Sequence, residues 1–122
     1  MFKITKFISI ALLIAASSAS FAQAPAPADG GFQFTGAGTI SCKEAQPLLA
    51  NPNSSPQFQQ WLLGFLAAYN GYSAPAQRVS LPQPQAIMAY AGDFCKANPD
   101  ARFIAVASSV LQQLGAKVPP LQ

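Results

Sequence analysis

The sequence predicts an all-α fold, a small four-helix orthogonal bundle with one disulfide and a flexible N-terminal tail. Three observations predict it. The stretch Pro56 to Tyr72, PQFQQWLLGFLAAYNGY, is apolar and free of charge, and it places Phe58, Trp61, Leu62, Phe65, Leu66 and Tyr69 on one face of a 3.6-residue period. Phe103, Val106, Ala107, Val110, Leu111 and Leu114 repeat the same spacing near the C-terminus. The chain has two cysteines, Cys42 and Cys95, which fall in different helical segments behind an export signal.

Met1 to Ala22 reads as that signal. Lys3 and Lys6 make a positive n-region, Phe7 to Ala16 an apolar h-region, and Ser20-Phe21-Ala22 a small-x-small cleavage site, so the mature chain begins at Gln23. The apolar run is too short to span a bilayer and no second one follows, so we expect no membrane anchor after cleavage, and a periplasmic location. No cysteine follows the cleavage site closely, as a lipoprotein would need. Residues 23–38, QAPAPADGGFQFTGAG, are built of Ala, Pro and Gly and read as a flexible tail, because little surface is available for burial to offset ordering entropy. The alternative for this segment is that Phe32 and Phe34, which alternate with polar neighbours, dock as a short extended stretch.

A helical domain is expected over 39–115, followed by a C-terminal tail over 116–122. Order is expected to begin at Ser41, where Ser41-Cys42-Lys43-Glu44 fits a capping box and starts a short helix from Cys42 to Leu49. Asn51-Pro52-Asn53 breaks it, since proline disfavours helical geometry in the residue before it and asparagine favours turns. The central helix follows, with Ser55 as N-cap, Pro56 at its first position and Gly71 as a left-handed terminator. Being apolar nearly all round, it needs cover on most sides, and the small residues Gly64, Ala68 and Gly71 offer a stripe where another backbone can approach. The segment SAPAQRVSLPQP, Ser73 to Pro84, is a loop that Val79 and Leu81 pin to the core. Pro84 opens a third helix through Ala97, with Ile87, Tyr90, Ala91, Phe94 and Cys95 inward and Asp93 and Lys96 outward. Asn98 is expected to N-cap the fourth helix, with Pro99 at its first position, Asp100 near the positive end of the dipole, and Gly115 closing it.

The chemistry is bounded by what the chain carries. In an oxidising compartment two thiols normally pair, so a Cys42–Cys95 disulfide is expected; it would close a loop of about fifty residues and contribute about 4 kcal/mol in the chain-entropy model. There is no C-x-x-C pair and no histidine, which leaves no Ser–His or Cys–His nucleophile and no zinc set. Of the four acids, Glu44 has a capping task, Asp100 a helix-start task, Asp29 lies in the tail and Asp93 stands alone. Tyr69, Tyr72 and Tyr90 read as amphipathic core edges. We therefore expect no catalytic residue, no metal and no cofactor. Without Lys3 and Lys6 the mature chain keeps Lys43, Arg78, Lys96, Arg102 and Lys117 against four acids, nearly neutral, with no basic patch for nucleic acid. The first reading of the aromatic face is hydrophobic core; Trp61, Phe65, Tyr69 and Tyr72 are the candidates for a partner-binding surface.

The order Ser41-Cys42-Lys43-Glu44, Trp61-Leu62-Leu63-Gly64-Phe65 with Tyr69-Asn70, and Phe94-Cys95 before a last helix resembles the HdeA/HdeB-like periplasmic proteins over Ser41 to Leu114. The resemblance implies a small helical protein with one disulfide, carried here by Cys42 and Cys95, and a non-catalytic, stress-related chaperone that binds protein clients and forms a homodimer released by acid. The chain departs from that family in being poor in charge, with four acids and no histidine to titrate. In outline it is also similar to the periplasmic immunity proteins that block secreted amidase toxins. A purely structural role in the cell envelope is the third reading.

Overall fold

The computed structural model describes residues 35–122. The expected signal peptide and residues 23–34 of the expected tail, with Phe32 and Phe34, lie outside the described residues. Four helices, α1 (Cys42–Leu49), α2 (Ser55–Tyr72), α3 (Pro84–Ala97) and α4 (Ile104–Gln113), form a small all-α bundle, with 3-10 turns at Gly36–Thr39 and Pro75–Gln77.

α1 begins as its sequence demands. The Ser41 hydroxyl accepts from the Glu44 amide, and Glu44 Oε2 accepts from the Ser41 amide at 3.0 Å, so two otherwise orphaned donors are satisfied. Two further first-turn donors find partners across the chain: Cys42 N–H donates to Ala101 O at 2.7 Å and Lys43 N–H to Pro99 O at 2.8 Å. Cys42 and Cys95 are joined, with Cα atoms 4.7 Å apart and neither residue exposed, which fastens the start of α1 to the end of α3.

This junction moves the start of α4. Asn98 does not cap it; its side-chain amide donates to Phe94 O at 2.9 Å and closes α3. Residues 98–103 lie alongside the approach to α1, with an antiparallel bridge between Ser41 and Arg102 and a 2.8 Å bond from Phe103 N–H to Ile40 O. The carbonyls of Pro99 and Ala101 are taken by α1, so they are not free to build a helical turn, and α4 starts at Ile104. Asp100 is accordingly not in the first turn of a helix. At the far end the expectation holds: Gly115 is left-handed (φ +90°), its N–H donates to Gln112 O, and Ala116 N–H reaches Leu111 O in a Schellman cap.

The helix at the centre of the bundle is α4, not α2. Seven of the ten residues of α4 are buried, against Phe58, Leu62 and Leu66 in the 18 residues of α2. The physical reason is side-chain size. IAVASSVLQQ is small and uncharged, so neighbours approach it from several directions, whereas the outer side of α2 carries Gln57, Gln60, Gly64, Ala67, Ala68 and Gly71 and has little apolar area to hide. The stripe Gly64, Ala68, Gly71 meets no other backbone: a Cβ built on Gly64 or Gly71 finds nothing within 4 Å. Gly71 also stays helical, and α2 ends at Tyr72, where Ser73 donates to Tyr69 O through both its N–H (2.9 Å) and its hydroxyl (2.6 Å). At the other end Ser54, not Ser55, is the N-cap of α2, and its hydroxyl donates to Leu48 O at 2.7 Å, closing α1.

The core is one cluster centred on Phe103, fully buried, with Phe58 edge-on at 5.1 Å and Trp61 tilted at 5.9 Å. Ile87, Ala91 and Cys95 of α3 face it and Tyr90 and Phe94 flank it, as expected, while Asp93 and Lys96 are exposed.

α1 has eight residues and buries only Cys42 and Ala45, so packing holds it weakly. A Cys42→Ser, Cys95→Ser double variant should lose about 4 kcal/mol, the loop-closure value for this span. Hydrogen exchange should show the amides of α1, Cys42 and Lys43 included, approaching the unprotected rate while those of α4 stay slowest. Equal protection of α1 in variant and parent would show that packing alone holds the helix.

Candidate functional site

The four aromatic residues of α2 named as a partner surface meet different fates. Trp61 is half-buried and covered: its Nε1–H donates to Thr35 O at 2.9 Å, and the 3-10 turn Gly36–Thr39 lies on its ring. A Cβ on Gly38 would stand 2.2 Å from Trp61 Cζ2, so only glycine fits there, and Gly36 takes a left-handed φ of +75° to make the turn. Ala37 and Gly38 are buried. Order therefore begins before Ser41, and residues 35–38 are not tail; they cover the indole. Phe65, half-buried, stacks on Trp61 with ring centroids 5.7 Å apart. Tyr69 is half-buried and donates its hydroxyl to Gln77 O at 3.3 Å. Tyr72 is 96 % exposed.

Around Tyr72 the surface is built by the end of α2 and the loop that follows. Asn70 clamps that loop with both halves of its amide: Nδ2–H donates to Val79 O at 2.8 Å and Oδ1 accepts from Val79 N–H at 2.9 Å. Sequence reasoning placed Asn70 only as part of a helix end and missed this role; a side-chain amide one residue before Gly-Tyr at a helix end was the available signal. Val79 packs against the core as expected, but Leu81 is 36 % exposed and pins nothing. Between the loop and the turn after α4 lies an open groove of about 470 Å³ with Arg78 and Lys117 on its walls.

Along its outer side α2 presents Pro56, Gln57, Gln60, Gly64, Ala67, Ala68, Gly71 and Tyr72, all exposed and none charged. From Ala45 to Gln77 the chain carries no ionisable side chain except Tyr69 and Tyr72. An 18-residue helix is about 27 Å long, so this uncharged face runs the length of the longest helix among the described residues.

Among the acids, Glu44 has a structural placement. Glu44 Oε2 accepts from the Ser41 hydroxyl at 2.9 Å and from its amide, and these bonds, the hydroxyl first, hold its carboxyl below the usual carboxylate range. Asp93 and Asp100 are exposed. Tyr90 and Ser109 share a hydroxyl–hydroxyl bond that joins α3 to α4. Among the described residues no group of three or more His, Cys, Asp or Glu side chains could hold a metal ion, and no helix is long and apolar enough to cross a membrane.

No protein-family model, curated protein or solved structure matches the chain.

Two outcomes follow from this geometry. Gly38→Ala should force the turn off the indole, at a cost of roughly 1 to 3 kcal/mol. Because Trp61 is the single tryptophan, its emission should shift to the red; an unshifted spectrum at parental stability would show that the turn does not rest on the ring. Glu44 ionises more readily in the folded chain, so its contribution is full above the ordinary carboxylate pKa and is lost as pH falls through the depressed one. The urea midpoint of Glu44→Gln should therefore lie below that of the parent at neutral pH and converge on it in acid; a constant gap would show that the carboxylate is not the source.

Proposed function

We propose that this protein is a non-catalytic, protein-binding bundle of the periplasm, of the HdeA/HdeB-like type, which holds client or partner segments, a second copy of itself included, on the outer face of α2. The observation that carries this reading is the uncharged exposed face from Pro56 to Tyr72, ending in an aromatic ring that is 96 % exposed. A partner can cover such a face without stripping water from any ionised group, and the tyrosine ring supplies area at low entropic cost. The likeness in cysteine placement and in the Trp61-Leu62-Leu63-Gly64-Phe65 turn supports the same reading, and the disulfide suits an oxidising compartment. The indole of Trp61 contributes indirectly, by fixing the turn that covers it.

A second reading, an immunity protein that blocks a secreted amidase-type toxin, draws support from the clamped loop. Two hydrogen bonds between Asn70 and Val79, with that from the Tyr69 hydroxyl to Gln77 O, hold the loop at residues 77 and 79, as a segment presented to an enzyme cleft would require.

Sedimentation and a client-aggregation assay at neutral and at acid pH, together with capture from periplasmic extract, separate the two. The chaperone reading expects suppression of aggregation that Tyr72→Ser weakens by roughly tenfold, while stability stays within roughly 0.5 kcal/mol of the parent. A monomer inert at both pH values would overturn it. Capture of one stoichiometric enzyme, lost on Asn70→Ala and kept on Tyr72→Ser, would establish the immunity reading.

A further inference from the structure

We propose that the face of α4 formed by Ala105, Ser108 and Gln112 is a docking groove for an extended, proline-bearing apolar segment of another polypeptide, and that residues 118–122 are its resident stand-in. The proposal rests on the protein-binding reading above and gives it a second site and a ligand class.

α4 packs against α2, α3 and the Gly36–Thr39 turn, and the C-terminal residues run along the face that carries Ser108 and Gln112. They are tied down by two hydrogen bonds. Gln112 Nε2–H donates to Val118 O at 3.0 Å, and Leu121 N–H donates to Ser108 Oγ at 3.1 Å. Ser108 is 3 % exposed, and its hydroxyl proton goes to Ala105 O at 3.1 Å, which turns its oxygen outward as an acceptor. The groove thus reads backbone: one donor for a carbonyl, one acceptor for an N–H three residues further on. The residues between, Pro119 and Pro120, have no N–H to leave unsatisfied and favour an extended chain. Any segment with that backbone and an apolar side chain at the Leu121 position meets the same requirements.

The stand-in does not fill its seat. Beside it an open cleft of about 640 Å³ remains, lined by Phe94, Ala105 and Leu121 with Asp100 and Arg102 also on its walls. Leu121 is half-buried, and Pro119, Pro120 and Gln122 are exposed. Two hydrogen bonds, the half-buried Leu121 and Val118, which packs against the edge of the core, give a limited net hold. The short tether raises the local concentration of the stand-in, so an external segment sees the groove only in the fraction of molecules where the tether is released.

The test uses the full chain and a fluorescein-labelled synthetic peptide, AKVPPLQ, copied from residues 116–122. Leu121→Asp places a charge in the half-buried seat and should release the tether. This variant should bind the peptide at least about tenfold more tightly than the parent, and adding Gln112→Ala should reverse most of that gain while the amides of α4 keep their protection. Equal binding by variant and parent would overturn the proposal. So would a Leu121→Asp chain that fails to fold, since the segment would then be part of the core. Hydrogen exchange of the parent gives an independent readout: the Leu121 amide should exchange by local opening, much faster than those of α4, and exchange at the rate of α4 would rule out displacement. Peptide binding with no client activity would remove the α2 reading and leave the groove; client activity sensitive to Tyr72 with no peptide binding would do the reverse.

Discussion

The fold turns on how the start of α1 is satisfied. A helix of eight residues with two buried side chains has almost no packing energy of its own, and its first N–H groups need acceptors. The chain answers with three devices in four consecutive residues: the Ser41–Glu44 box, the Cys42–Cys95 bond, and the donation of the Cys42 and Lys43 amides to Ala101 and Pro99. These join α1, the end of α3 and the entry to α4 at one place. From there the rest follows in order. The 98–103 segment is held as a turn followed by a single bridge at Arg102, Phe103 is delivered into the core against Phe58 and Trp61, and α4 begins at Ile104.

Burial of α4 then determines which surfaces the other elements can offer. Because the small uncharged helix takes the centre, α2 is pushed to the outside and keeps a full uncharged side in solvent. The large aromatic residues of α2 are not wasted on that side; Trp61 and Phe65 stack with each other, and Trp61 is covered by a turn that two glycines make possible. The exposed remainder is one proline, two glutamines, small side chains and one tyrosine, an area that tolerates water yet carries no charge to desolvate on being covered. The same small residues in α4 leave room for a chain segment to lie along it.

Features written by local chemistry were legible in the sequence. The capping box at Ser41, the span of α1, the Pro84 start and Ala97 end of α3, the left-handed Gly115 and the cysteine pairing each depend on a few neighbouring residues or on compartment, and each is found. What was misread depends on partners distant in the chain. Asn98-Pro99-Asp100 has good helix-start chemistry, but the amides of Cys42 and Lys43, more than fifty residues earlier, claim the carbonyls. Gly71 can end a helix, yet Ser73 caps the Tyr69 carbonyl and the helix runs on. Residues 35–38 have the composition of a tail; the indole they cover is 26 residues away from the carbonyl that it bonds. Trp61 and Tyr72 share one helix and one residue class, and only the position of that turn makes one covered and the other free.

The junction at α1 also bounds what acid can do to this molecule. The ionisation of Glu44 is tied to the fold through its hydrogen bonds to Ser41, which lie one residue from Cys42. Protonation therefore loosens a helix end that a covalent bond still fastens to α3. The loss is local, because α4 and the Phe103 cluster contain no carboxylate. A neutral core, an uncharged α2 face and a crosslinked weak point together describe a bundle whose helices α2 and α4 keep their surface chemistry as carboxylates titrate. That differs physically from a fold held by many charges, in which each protonation event adds to the loss of stability.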